Sequence, residues 1–178
     1  MLETERLILR PFLEENLPIM LEMFQDKDFM AFSPHGALST EAATDRFLEI
    51  LEHYKNHNFG KMAIVLKDTH KIIGYCGFET CEVDSKTEAE LGFRLIKTER
   101  NKGYIVEASL KLLEDMQSRN FKHVIAFSEK DNLPAHNLLN KLGFEKTNSS
   151  SYMNMDVIFF KKRPVISSIK ITYYLKKL

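Results

Sequence analysis

What the sequence lacks narrows its function first. Neither sign of charge is in surplus: Lys+Arg and Asp+Glu balance at 25 each. No summed positive field therefore marks nucleic acid or an anionic membrane surface as the main partner. No stretch approaches the roughly eighteen consecutive apolar residues of a membrane span. The opening "MLETERLILRPF" has no basic region followed by a long apolar run, so a secretion signal is not expected either. Only two cysteines are present, Cys76 and Cys81, read as one thiol in a strand and one in the turn after it. With no wider set to build a disulfide framework, the expected setting is reduced and cytoplasmic. There is no internal repeat, low-complexity segment or linker. A chain of 178 residues with 44% hydrophobic content is then expected to form one domain, 1–178, with a continuous core.

What is present reads as mixed α/β. "RLILRPF" alternates apolar and polar residues into a proline and predicts a first strand ending near Pro11. "NLPIMLEMFQD" has helical spacing. Ser39 and Thr40 are candidate caps for a second helix through about Tyr54, with Phe47, Ile50, Leu51 and Tyr54 on one side. "KMAIVLKD" and "KIIGYCGFET" flank the polar turn at residues 68–70 as a hairpin. "AELGFRLI" adds a third consecutive strand across an acidic loop, which implies an antiparallel meander.

The order then changes to strand, helix, strand, helix. A helix is expected from about Val106 to Gln117, a strand at "HVIAFS", and a second helix from about Pro134 to Leu142, started by Asn132 and Pro134 and ended by Gly143. A right-handed crossover places "HVIAF" parallel to "AELGFRLI". "NSSS" reads as a loop, and "YMNMDVIFF" and "IKITYYLKK" as a closing antiparallel pair. Lys161, Lys162 and Arg163 read as a solvated turn between them. His53 and His57 read as surface histidines at a helix end, with no third ligand for a metal.

The stretch "RNKGYIVEASLKLLEDM" carries the chemical signal. Asn101, Lys102 and Gly103 contribute little to a core, yet they precede a helix whose first amides and positive dipole end make an anion site.

In combination and order these segments resemble the GCN5-related N-acetyltransferases (GNAT), and within them the ribosomal-protein N-terminal acetyltransferases. The resemblance runs from "TERLILRPF" through "GKMAIVLKDTHKIIGYCGF" and "AELGFRL" to "DNLPAHNLLNKLGF". It implies a mixed, mostly antiparallel sheet, flanked by helices and splayed between its fourth and fifth strands. Acetyl-CoA would sit in the splay as co-substrate, with its pyrophosphate on the turn before the long helix. The family's phosphate turn, Gln/Arg-x-x-Gly-x-Gly/Ala, reads here Arg100, Asn101, Lys102, Gly103, Tyr104, Ile105. Amides from Asn101 to Ile105 would hold the phosphates, assisted by the cations of Arg100 and Lys102. The branched Ile105 replaces a small residue and is expected to crowd that site.

The same resemblance assigns the backbone of Phe93, Arg94 and Leu95 to the pantetheine arm, together with the side-chain amide of Asn132. Relatives carry Asp-Asn-x-x-Ser-x-Arg in the second segment, where this chain has Ala135 and Asn137 for the serine and arginine. A hydroxyl and a phosphate-binding cation are therefore missing, and no general acid can be named on that helix. Glu90 matches the family's base, which removes the proton of an arriving ammonium; Glu79 or Glu88 can serve instead. The expected reaction is transfer of acetyl from acetyl-CoA to a primary amine, by direct attack in a ternary complex, in a monomer or homodimer. The amine is open between a protein N-terminus and small molecules. The alternative is a weak or inactive module that keeps the fold and binds CoA or a protein partner.

Overall fold

A computed structural model describes residues 1–163. Its strands are β1 (Leu2–Glu3), β2 (Leu7–Pro11), β3 (Lys61–Leu66), β4 (Ile72–Val83), β5 (Lys86–Leu95), β6 (Val124–Glu129), β7 (Glu145–Tyr152) and β8 (Met155–Lys162). The helices are α1 (Leu17–Gln25), α2 (Thr40–His57), α3 (Tyr104–Ser118) and α4 (Leu133–Lys141). The strands form one eight-stranded sheet in the order β1-β2-β3-β4-β5-β6-β8-β7. Every neighbouring pair is antiparallel except β5 with β6.

Strand parity divides the core into two layers. Met62, Ile64 and Leu66 of β3 face the same side as Phe78, Leu91 and Leu95, where Ile105, Ala108 and Leu112 of α3 and Leu139 of α4 cover them. Ala63, Val65 and Tyr75 face the other side, under Met20 and Phe24 of α1 and Phe47 and Ile50 of α2. This explains why β3 is buried along its whole length. Ser39 caps α2 as expected, accepting from the Ala42 amide at 3.2 Å. No helix among the described residues is long and apolar enough to cross a membrane.

Three sequence expectations change. The acidic loop is only a two-residue turn: Asp84 and Ser85 both have positive φ, at 50° and 60°, the geometry of a tight hairpin. Cys81 is consequently in β4. "NSSS" is part of β7, an edge strand exposed along nearly all its length; an element with two solvated faces leaves no hydropathy pattern to read. The partner of "YMNMDVIFF" is that strand, joined through a turn at Met153 and Asn154, while "IKITYYLKK" lies outside the described residues. Lys161 and Lys162 accordingly belong to β8.

Candidate active site

β5 pairs with β4 along its whole length but with β6 at one position, Glu90 opposite Ile125. Beyond it the two parallel strands separate, so the backbone of Phe93 has no strand partner across the gap, while the Arg94 carbonyl points at Gly74 of β4. At the open end the chain turns through Arg100, Asn101 and Lys102 into α3. Asn101 and Gly103 both take left-handed backbone, at φ 62° and 84°, which asparagine tolerates and glycine adopts freely. Gly103 caps α3 without a side-chain bond, and the first backbone bond runs from the Glu107 amide to the Gly103 carbonyl at 3.1 Å. The amides of Tyr104, Ile105 and Val106 are left as free donors.

A carboxylate at this helix start would repel an anion, but Glu107 is already neutralised. It accepts from Thr4 Oγ1 at 2.6 Å and from the Arg6 amide at 2.9 Å, and pairs with the Arg6 guanidinium at 2.6 Å. Burial pushes its carboxyl up, yet these bonds from Thr4 and Arg6 outweigh that and hold it below its ordinary value. Arg6 also donates to the Lys102 carbonyl at 3.0 Å and lies 4.5 Å over the Tyr104 ring, so it fixes the turn from below.

The two cations expected at the turn have other partners. Arg100 donates from Nε to the Leu95 carbonyl at 3.1 Å and from Nη2 to the Asp28 carbonyl at 2.6 Å. Lys102 pairs with Glu99 at 2.9 Å. The expectation for Ile105 is corrected: its side chain is buried in the core with Ala108 and Leu112, 8% exposed. As the second residue of α3 it points at the sheet and leaves its amide facing out. Asn132 caps α4, its side-chain oxygen accepting from the Ala135 amide at 3.2 Å, which leaves its NH2 group for another partner. Asn137 stands exposed on α4.

At the point where β5 and β6 part, on the α1/α2 face, lies a buried ionic cluster that sequence reading missed in part. Glu79 and Glu90 stand opposite each other on β4 and β5. Lys61 of β3 reaches over the backbone of β4 to bring Nζ within 3.0 Å of Glu90 Oε2, 3.9 Å of Glu79 Oε2 and 3.4 Å of the Gly77 carbonyl. Gly92 makes that path possible, since a Cβ there would meet Lys61 Nζ at 2.0 Å. Arg46 of α2 adds a second cation, 2.5 Å from Glu79. Burial alone would push the Lys61 ammonium down and the Glu79 carboxyl up. The opposite charges outweigh it, Glu90 first for Lys61 and Lys61 first for Glu79, so Lys61 is raised and Glu79 lowered.

Glu90 keeps Oε1 free of bonds to described residues. Glu79 Oε1 is buried without a partner among the described residues. Glu88 is instead paired with His123 at 2.5 Å, on the closed side of the strand parting.

His53, expected as a surface residue, is half-buried beside this cluster. Its Nε2 accepts from the Thr80 amide at 3.0 Å, so Nδ1 carries the proton and donates to the Phe59 carbonyl at 3.0 Å. Burial lowers its pKa, in keeping with a neutral ring. Above the cluster, the segment between α1 and α2 is tied to β5 by Arg94, which donates to Tyr75 Oη at 2.9 Å, the Phe29 carbonyl at 2.9 Å and the Phe32 carbonyl at 2.8 Å. Lys97 pairs with Asp28 at 2.9 Å.

Arg6, Arg46 and Lys61 carried no sequence signal, because a basic residue near the start of a strand or on a helix reads as solvated. Ser128, near the end of β6, is buried with its hydroxyl unpartnered among the described residues.

Comparison with known proteins bears on this geometry. The model of the acetyltransferase (GNAT) domain matches residues 6–145. The uncharacterised N-acetyltransferase YjdG of Bacillus subtilis (strain 168) is 33% identical over 154 residues, 81% of this chain and 89% of that protein. An acetyltransferase from Agrobacterium tumefaciens str. C58 superposes with a TM-score of 0.80 at 19% identity, covering 92% of this chain and 94% of the other. RimL, a ribosomal L7/L12 α-N-protein acetyltransferase solved with CoA disulfide-bonded to one of its cysteines, superposes at 0.75 with 16% identity over 90% and 95% of the two chains. At such identities the structural likeness is one of fold.

Proposed function

From a chain that belongs to the acetyltransferase (GNAT) family, and is thus an acetyl-CoA-dependent N-acyltransferase, we infer direct transfer to a primary amine bound on the α1/α2 face. The observation that carries this reading is the pairing of two features at one gap. Free amides at the start of α3 lie at its open end, and a carboxylate with an unoccupied oxygen, Glu90 Oε1, lies where β5 and β6 part.

Bound acetyl-CoA supplies the acetyl group as an activated thioester. The amides of Tyr104, Ile105 and Val106, with Asn101, Lys102 and Gly103 before them, suit the pyrophosphate, since they combine free N–H donors with the positive end of the α3 dipole. Arg100 braces that turn against Leu95 and Asp28. The gap-facing backbone of Phe93 suits the amide-rich pantetheine arm, joined by the Asn132 NH2 group and, further along α4, Asn137, whereas the Arg94 carbonyl points at Gly74 of β4. Leu95 offers only its N–H, because its carbonyl is engaged by Arg100.

Glu90 acts as the base. An amine arrives as an ammonium, and Oε1 takes its proton directly or through water, while Lys61 on Oε2 fixes the carboxylate's orientation. Arg94 positions the acceptor loop. A protein N-terminus is one acceptor class this reading includes, because RimL is an α-N-protein acetyltransferase; small-molecule amines are the other. The case for an inactive module weakens once Ile105 packs inward, leaving the turn uncrowded.

The test is incubation with labelled acetyl-CoA and an amine library that includes N-terminal peptides, alongside calorimetric titration with acetyl-CoA. Amine-dependent release of CoA is expected. Tight binding with no release for any amine would favour the inactive module.

A further inference from the structure

The proposed transfer ends with negative charge on sulfur, and α4 has no residue to meet it. Its hydroxyl position is Ala135, and its one titratable ring, His136, is bonded through Nε2 to the Glu129 carbonyl at 3.0 Å. Resting on the acetyl-CoA reading above, we propose that Ser128 is a catalytic residue whose Oγ–H donates a hydrogen bond to the departing thiolate.

Three observations place it there. Ser128 follows Ile125, the only position of β6 that pairs with β5, by three residues, and so stands where the strands have separated. It shares strand parity with Val124 and Ala126, which pack in the core with Ile105 and Ala108 of α3 and Leu139 of α4. Its side chain thus lies on the α3/α4 face of the gap, whereas Glu90 serves the α1/α2 face. Third, the hydroxyl is buried, 9% exposed for the residue, and no group of the described residues is in hydrogen-bonding reach. Buried hydroxyls are almost always bonded, and one kept without a partner calls for a reason. Ser109, the other buried serine among the described residues, illustrates the rule: its Oγ sits 3.4 Å from Cys76 Sγ.

The chemistry balances. The amine's lone pair forms the N–C bond, the C–S bond breaks, and its electron pair stays on sulfur. The ammonium gives one proton to Glu90 before attack, and the acylated nitrogen sheds its second to solvent as the C–S bond breaks. Serine keeps its own proton, since its alkoxide is a far stronger base than a thiolate, and solvent protonates the released CoA. The Oγ–H dipole stabilises charge that develops only as the bond breaks, the condition under which a donor lowers the barrier.

Two variants test this. Ser128→Cys puts a thiol at the proposed sulfur position. Incubated with oxidised CoA disulfide it should exchange to a mixed disulfide at residue 128, releasing one CoA thiolate, at least tenfold faster than any adduct forms on the wild type, and excess acetyl-CoA should block it. Ser128→Ala should lower kcat by roughly 10- to 100-fold, with acetyl-CoA affinity unchanged and Tm no lower, because only an unbonded hydroxyl is removed. A structural serine would instead give a lower Tm. If wild type binds CoA yet Ser128→Cys forms no faster adduct, or Ser128→Ala turns over at the wild-type rate, the assignment is wrong. If wild type does not bind CoA, the acetyl-CoA reading falls with it.

Discussion

Replacing Lys61 with methionine keeps the stem of the side chain and removes its charge. In the fold the Lys61 side chain is 5% exposed, with its ammonium 3.0 Å from Glu90 and 3.9 Å from Glu79. Without it, two carboxylates directly opposed on β4 and β5 face one remaining cation, Arg46. Removing one partner of a buried pair costs about 3–5 kcal/mol, so Lys61→Met should lose that much at pH 7. For a chain of this size the fall in Tm is roughly 6–20 °C. The sign of the pH dependence follows from Glu79, whose carboxyl is held below its ordinary value of 4.5 by Lys61 and then Arg46 against burial. In wild type this contribution is full above pH 4.5 and is lost as pH falls through the depressed value. In the variant the two carboxylates repel, and protonating one relieves them. The gap between the proteins should therefore narrow as pH drops toward 4.5. Urea unfolding followed by far-UV circular dichroism at pH 7 and 4.5 measures it, with Lys61→Met/Glu90→Gln expected to recover about half the loss. A penalty below about 1 kcal/mol at pH 7, the scale of a surface pair, or one equally large at pH 4.5, refutes the reasoning.

Other substitutions probe separate parts of the site. Glu90→Gln should slow turnover by roughly 10²-fold near neutral pH with little change in acetyl-CoA affinity, and the defect should shrink as pH rises and more amine is neutral; a rate matching wild type throughout would pass the base role to Glu79. Ile105→Ala should destabilise the fold by about 2–5 kcal/mol while acetyl-CoA affinity in calorimetry stays within about threefold, whereas markedly tighter binding would mean that the side chain reaches the phosphates after all. His53 has its pKa lowered by burial, so its contribution to stability is full above 6.5 and declines as pH falls below that. His53→Gln can keep both hydrogen bonds without titrating, and thermal melts from pH 7.5 to 5.5 should show that it removes the decline.

The order of elements was legible in the sequence because it depends on local periodicity and punctuation. Alternation in "RLILRPF", the Ser39 cap and the Asn132-Pro134 start each act over a few residues, and the structure keeps them at nearly the expected boundaries. The turn before α3 was legible for the same reason: left-handed backbone needs residues such as Asn101 and Gly103, whatever surrounds them. Tertiary structure alone decided where side chains ended. Lys61, beside Gly60 at the start of a strand, reads as solvated. It is buried because Gly92, distant in sequence, vacates its path and Glu90 stands at the far end. Ile105 looked like an obstruction until helix phase turned it to the sheet. β7 left no pattern, since its stability comes from backbone pairing with β8 while both its faces stay in water. Ser128 is one serine among many in the sequence, and only the separation of β5 from β6 with α3 and α4 packed above makes its hydroxyl both buried and unbonded. Local rules act through a few dihedrals and appear in composition and spacing; burial, charge pairing and an orphaned donor are sums over residues that only the folded chain brings together.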